Sequence, residues 1–133
     1  MENMKSILLI SSIPLLLASV QAFGVTHKNP DEILECHLFS GDKLIEKESC
    51  LHLSGTNEEG FYIKLRTSKA FYEFDGSCDS KGKCSYVQGT TPIETYVRNA
   101  TTYKRIEGDS SSYYGNLLYC YKSADNKFDI CAK

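Results

Sequence analysis

The chain has 133 residues and a formal net charge of −2 at neutral pH, with six cysteines, nine tyrosines, three histidines and no tryptophan. A length of that order fits one domain. Without a block of like charge, the chain has neither the clustered basic face that nucleic acid needs nor the polybasic run of an anionic-membrane binder.

Lys5 precedes an almost unbroken apolar run, Ile7 to Leu17, which is too short to span a bilayer as a helix. Small residues follow, with Val20 and Ala22 at the minus-three and minus-one places of a cut after Ala22. This pattern predicts a secretory signal peptide over 1–22 and a single exported domain over 23–133, with no membrane anchor in the mature form. The expected destination is secreted or periplasmic.

Residues 23–30 read as a loose leader, with one or two helical turns as an option over Asn29 to Leu34 because Pro30 and two acids open it. Ile33 to Phe39 predicts a strand, Ser40 to Lys43 a tight turn, and Leu44 to Leu53 a second strand. On that second strand Ile45, Lys47, Ser49, Leu51 and Leu53 share a face that is apolar only at its ends. After the Asn57 to Gly60 turn, Phe61, Ile63 and Leu65 alternate inward against Tyr62, Lys64 and Arg66. Further strands are predicted at Ser68 to Asp75, Cys84 to Gln88, Ile93 to Arg98, Thr101 to Ile106, Gly115 to Lys122 and Lys127 to Cys131. The sum is an all-β class: about eight short antiparallel strands in a small barrel or sandwich, stapled by disulfides.

All six cysteines lie beyond the expected cut, and an even count in an exported chain predicts a disulfide framework. Close C-x2-C pairs are absent, so no metal is expected. With a loop at Ala124 to Lys127, Lys122 faces Asp129 and Cys120 faces Cys131, which predicts the Cys120–Cys131 bridge. Five polar residues separate Cys78 from Cys84, predicting a second bridge across a tight loop. Cys36 and Cys50 then pair by exclusion. A turn tipped by Gly41-Asp42 sets Cys36 opposite Lys47, so this bridge needs a bulge near Lys47 or a longer turn. Bonding of Cys36 or Cys50 to the C-terminal hairpin is the alternative.

Catalysis needs a nucleophile, a base and an orienting group converging in one pocket. The histidines are His27, His37 and His52, read as leader, solvent-facing or edge residues. The cysteines are committed to bridges, and no glycine-rich phosphate loop occurs. The expectation is a non-enzyme without catalytic residues or cofactor. Asn99-Ala100-Thr101 is an N-glycosylation tripeptide. Tyr113, Tyr114, Tyr119 and Tyr121 crowd one segment. The Asp109 to Gly115 stretch has the Ser/Tyr/Gly composition of adaptable recognition loops, so these tyrosines are candidate contacts for a protein partner.

Ser68-Lys69-Ala70-Phe71-Tyr72 resembles the Ser-Gly-Ala-x-Tyr loop of the C-type lysozyme inhibitors, small periplasmic β-barrels, with Lys69 standing where that family has glycine. The resemblance implies that Ser68 and Lys69 are the polar groups offered to a carboxylate-lined cleft through charge-assisted bonds, with Tyr72 of the matched stretch a further candidate contact. Export, bridges, strand count and the missing catalytic set together predict an exported non-enzymatic binding protein, and the resemblance implies that it inhibits an envelope-targeting hydrolase. A secreted effector or toxin-like protein acting on another organism is the alternative.

Overall fold

The structure is a computed structural model that describes residues 27–133; the leader read over 1–22 lies outside them. Its strands are β1 (His27–Lys28), β2 (Glu32–Ser40), β3 (Lys43–Asn57), β4 (Gly60–Arg66), β5 (Phe71–Cys78), β6 (Cys84–Gln88), β7 (Thr91–Asn99), β8 (Leu117–Ser123) and β9 (Asp129–Ala132). From β2 onward each strand pairs antiparallel with the next, and β9 returns to β2 through Cys36↔Ala132, His37↔Cys131 and Leu38↔Ile130. The result is a closed eight-stranded up-and-down barrel, to which β1 adds an extra strand on β3. Closure leaves the barrel no free sheet edge except where a strand stops short.

The turns follow the local chemistry. Gly41 adopts φ +60° at the tip of the β2–β3 turn, where Ser40 pairs with Lys43. Asn57 Oδ1 accepts the Glu59 and Gly60 amides at 3.0 and 2.8 Å, fastening the β3–β4 turn through a side-chain mimic of a backbone bond. Gly76 has no side chain because the Phe61 ring lies where one would be, 2.1 Å from an added Cβ.

The three bridges join Cys36 to Cys50, Cys78 to Cys84 and Cys120 to Cys131. The last two link residues directly opposed in register, with Cα atoms 3.9 Å apart. The first depends on a one-residue irregularity opposite Leu38/Phe39, which leaves Ile45 as the extra residue on β3, two positions from Lys47 and close to where the bulge was expected. It moves the partner of Cys36 from Lys47 to Glu48, two residues from Cys50, so both sulfurs stand on the same side as diagonal neighbours with Cα atoms 5.8 Å apart.

That bridge also decides which way β3 faces. Cys50 points into the barrel, so Ile45 and Leu51 point out, and Ile45 is 63% exposed. Inside, Leu65, Phe74 and Ile130 are fully buried around the Cys36–Cys50 bridge. Aromatic rings fill the remaining width. Phe74 stacks on Tyr121 at 4.9 Å, Phe128 meets Tyr72 at 5.1 Å, and Tyr86 meets Phe61 at 5.2 Å. This small barrel is packed by its own side chains.

A second apolar cluster lies outside the wall formed by β2, β9, β8 and β7: Phe39, Leu118 and the Cys120–Cys131 bridge, covered by Ala100 and Tyr103. The cover is the β7–β8 connection. Three expectations change here. Thr101 to Ile106 is not a strand; only Arg105 bridges back to Arg98. No helix forms at Asn29 to Leu34, because Glu32 already opens β2. The Ser68 to Asp75 strand starts at Phe71, since Thr67 to Ala70 is a turn closed by the Thr67 amide on the Ala70 carbonyl at 2.9 Å.

Candidate functional site

A meander sends its turns alternately to the two ends of the barrel. The 67–70 turn therefore sits at one end, and the long 100–116 connection at the other. The seven candidate contact residues divide among these two ends and the interior.

At the first end, Ser68 and Lys69 are held by the chain's own carboxylates. Ser68 donates its amide to Glu48 at 2.6 Å and its hydroxyl to both oxygens of the same group at 2.9 and 3.1 Å. Lys69 Nζ donates to Glu46 at 2.8 Å. The Ser68 amide and hydroxyl hold the Glu48 carboxyl below its usual range, and Glu46 raises the Lys69 ammonium above its own. Glu46 and Glu48 share the inner side of β3 with Cys50, so they reach the barrel mouth that the turn crosses.

Two of the predicted contacts are interior. Tyr72 packs against Phe128, and Tyr121 lies between Phe74 and Tyr86. Burial pushes the Tyr121 phenol up to about 12 and raises Tyr72 as well.

Tyr113, Tyr114 and Tyr119 are the exposed set, at 40%, 89% and 54%. Tyr113 ends a 3-10 turn over Ser111–Tyr113, whose entry is fixed by Asp109 accepting the Ser111 amide at 2.9 Å and hydroxyl at 3.1 Å. At its two stems the connection is tied by the Ala100 amide on the Asn116 carbonyl at 2.9 Å and by the Asn99, Thr101 and Asn116 side chains.

The cleft beside these rings has a structural origin. β6 pairs with β7 only at Tyr86, Val87 and Gln88, after which residues 104–106 take over the β7 edge through Lys104 and Ile106. Between the two lies an opening of about 470 Å³ whose walls include Tyr86, Thr95, Ile106, Tyr119 and Tyr121. A neighbouring cleft of about 510 Å³ takes in Asn99, Lys104, Asp109 and Tyr113, and the two share Arg105, Ile106 and Glu107. Arg105 is neutralised locally by Glu94 at 2.7 Å and Glu107 at 3.0 Å, and it lies over the Tyr96 ring at 4.4 Å.

Beneath the connection is a polar knot that the sequence did not announce. Arg98, 3% exposed, donates to Asp129 at 3.1 Å, to the Tyr96 hydroxyl at 2.8 and 3.1 Å, to the Tyr103 carbonyl at 3.0 Å and to the Gly41 carbonyl at 2.9 Å. Its guanidinium also sits 4.1 Å from the centre of the Phe39 ring. Tyr96 donates to both Asp129 oxygens at 2.5 and 2.6 Å, and burial together with that carboxylate raises its phenol far above the ordinary value. Lys122 does oppose Asp129 in register, but the Asp129 carboxylate is bound by Tyr96 and Arg98. Alternation along β7 marks Arg98 only as outward-facing. Its burial comes from a connection folding back over that face, which no local pattern signals.

His37 is not solvent-facing. It is 2% exposed, packed between Phe39 and Tyr103, with Nε2 3.4 Å from Glu35 and Nδ1 without a partner. His52 Nδ1 is 3.9 Å from Glu32. Neither imidazole lines the two clefts. Among the described residues no group of three or more His, Cys, Asp or Glu side chains is placed to hold a metal, and no helix is long and apolar enough to cross a membrane. Comparison of the chain with protein-family models, curated proteins and solved structures gave no match.

Proposed function

We propose that the chain is an exported, non-enzymatic binding protein that meets a protein partner through the barrel end carrying Tyr113, Tyr114 and Tyr119. The observation that carries this reading is that the exposed rings of Tyr113 and Tyr114 sit on a connection tied down along its length, with the exposed ring of Tyr119 beside them on β8. Rigid aromatic anchors lose little conformational entropy on binding, and exposed tyrosine is favoured at interfaces. Three disulfides and no free cysteine among the described residues fit an oxidising extracellular or periplasmic compartment.

The inhibitor reading uses the other end. There, a hydrolase carboxylate would have to displace Glu48 from Ser68 and Glu46 from Lys69, because those donors are already engaged. The tyrosine end needs no such exchange.

The test immobilises the oxidised domain and titrates it with a C-type lysozyme, envelope hydrolases and fractionated extracellular extracts. The reading expects a saturable partner retained by wild type and by a Ser68→Ala/Lys69→Ala variant, and bound at least about tenfold more weakly by Tyr114→Ala/Tyr119→Ala, which is about 1.4 kcal/mol. Loss of binding in the Ser68/Lys69 variant alone, or no saturable partner, contradicts it.

A further inference from the structure

We propose that Asn99 is an N-linked glycan acceptor and that the first sugar lies along the cleft beside Tyr113. The inference is independent of the binding reading above.

Three structural observations converge on the tripeptide. First, the Asn99 carboxamide is oriented. Its Oδ1 accepts the Thr101 amide at 2.8 Å, the Thr102 amide at 3.0 Å and the Asn116 Nδ2 at 3.3 Å. With the oxygen turned into the connection, Nδ2 is left as the outward atom of the same plane. Second, that nitrogen is unpaired and not fully buried: it donates no hydrogen bond to the described residues, and the fully buried polar atoms without a partner among them are only His37 Nδ1 and His52 Nδ1. Third, there is room for a ring. Asn99 borders the cleft of about 510 Å³ that also holds Thr102, Lys104, Asp109 and Tyr113. Hydroxyl, ammonium and carboxylate groups there can bond sugar hydroxyls, and Tyr113 offers an aromatic face.

The fold also tolerates the modification. Asn99 ends β7, and the bonds that shape the next turn use its oxygen and its backbone; Nδ2 takes no part in them. Attaching a sugar to Nδ2 leaves each of those bonds in place.

The transfer itself balances without a redox partner. Asn99 Nδ2 forms a bond to the anomeric carbon of an oligosaccharide carried on a lipid pyrophosphate. The carbon–oxygen bond to the pyrophosphate breaks, the nitrogen loses one proton, and the lipid pyrophosphate leaves. The consequence is steric. A glycan rooted at Asn99 flanks the exposed tyrosines from the side of the 104–109 segment, leaving Tyr114 and Tyr119 as the open approach.

The full chain, with its leader, is expressed in a eukaryotic secretory host and the secreted product is mapped by intact mass and by peptides. Wild type and Thr101→Ser are expected to carry a hexose/N-acetylhexosamine increment on the peptide containing position 99. Peptide N-glycosidase should release it and leave an aspartate there. Thr101→Ala should lose the increment while keeping all three disulfides. Secreted, correctly bridged wild type with an unmodified Asn99 overturns the proposal, as does an increment that persists in Thr101→Ala. If Thr101→Ala is not secreted, the wild-type peptide map decides alone.

Discussion

The two ends of the barrel solve the same problem in opposite ways. At the 67–70 turn, the donors of Ser68 and Lys69 fold onto Glu48 and Glu46, so the polar groups that could meet a partner meet the chain itself. At the 100–116 connection, the internal bonds are made from underneath, by Arg98 and the Asn99–Asn116 tie, and the rings of Tyr114 and of the neighbouring β8 residue Tyr119 remain outside. One end is closed by exposed side chains bonded to one another. The other is anchored by a buried cation and leaves its contact groups unused. Candidate residues chosen by type alone cannot distinguish these cases.

The sharpest way to break the contrast is to remove the anchor. Arg98→Met leaves Asp129 buried without its cation, and it frees the Tyr103 and Gly41 carbonyls. Breaking a buried pair from one side costs about 3–5 kcal/mol. Urea unfolding should show that loss, and protease cleavage should appear first within 100–116. A double change, Arg98→Met with Asp129→Leu, should recover part of it, because no unpaired charge then remains.

Acid should act on the same region. Burial lowers the His37 pKa below its ordinary value, outweighing the Glu35 carboxylate that favours the charged form; Lys47 and Lys133 add to the lowering. The unfolded chain then binds the proton more readily than the folded one. This contribution is fully present above pH 6.5, and stability falls as pH drops below that value toward the folded pKa, by at most about 1.4 kcal/mol per pH unit for one proton. Urea midpoints from pH 7.5 to pH 5.5 should therefore decline in wild type and decline less in His37→Phe. Equal slopes would mean that His37 is not buried against Tyr103.

The first end should respond weakly. Glu48→Gln removes the charge that receives the Ser68 amide and hydroxyl, at a position open to solvent, where ion pairs are screened. Global stability should stay nearly unchanged while amide exchange at Ser68 accelerates. Smallest of all is Tyr114→Ala. At 89% exposure it should shift the unfolding free energy by less than about 0.5 kcal/mol, so any loss of binding in that variant belongs to the contact and not to the fold.

Much of the barrel was legible because it is local. Alternation placed Phe61, Ile63 and Leu65 inside, glycine and asparagine marked the turns, and hairpin register alone brought Cys120 to Cys131 and Cys78 to Cys84. What escaped is non-local. Closure of β9 on β2 joins segments near opposite ends of the domain, and no pattern within either strand encodes it. The irregularity at Leu38/Phe39 shifts register by one residue, which exchanges the faces of β3 and turns Ile45 outward. The burial of His37 and Arg98 follows from a loop crossing the outer wall, so His37 reads in sequence as a solvent-facing or edge residue and nothing local singles out Arg98. Among the candidate contacts, sequence gave the residue type but not the side. Tyr119 and Tyr121 share one face of β8, yet Tyr119 opens on the mouth and Tyr121 is stacked within.

The most direct measurement is hydrogen exchange by mass spectrometry on the oxidised domain with and without a saturating partner recovered in the capture experiment. The account predicts slowed exchange confined to residues 104–119, with the 67–72 segment unchanged. Protection at 67–72 with none over 104–119 would contradict it.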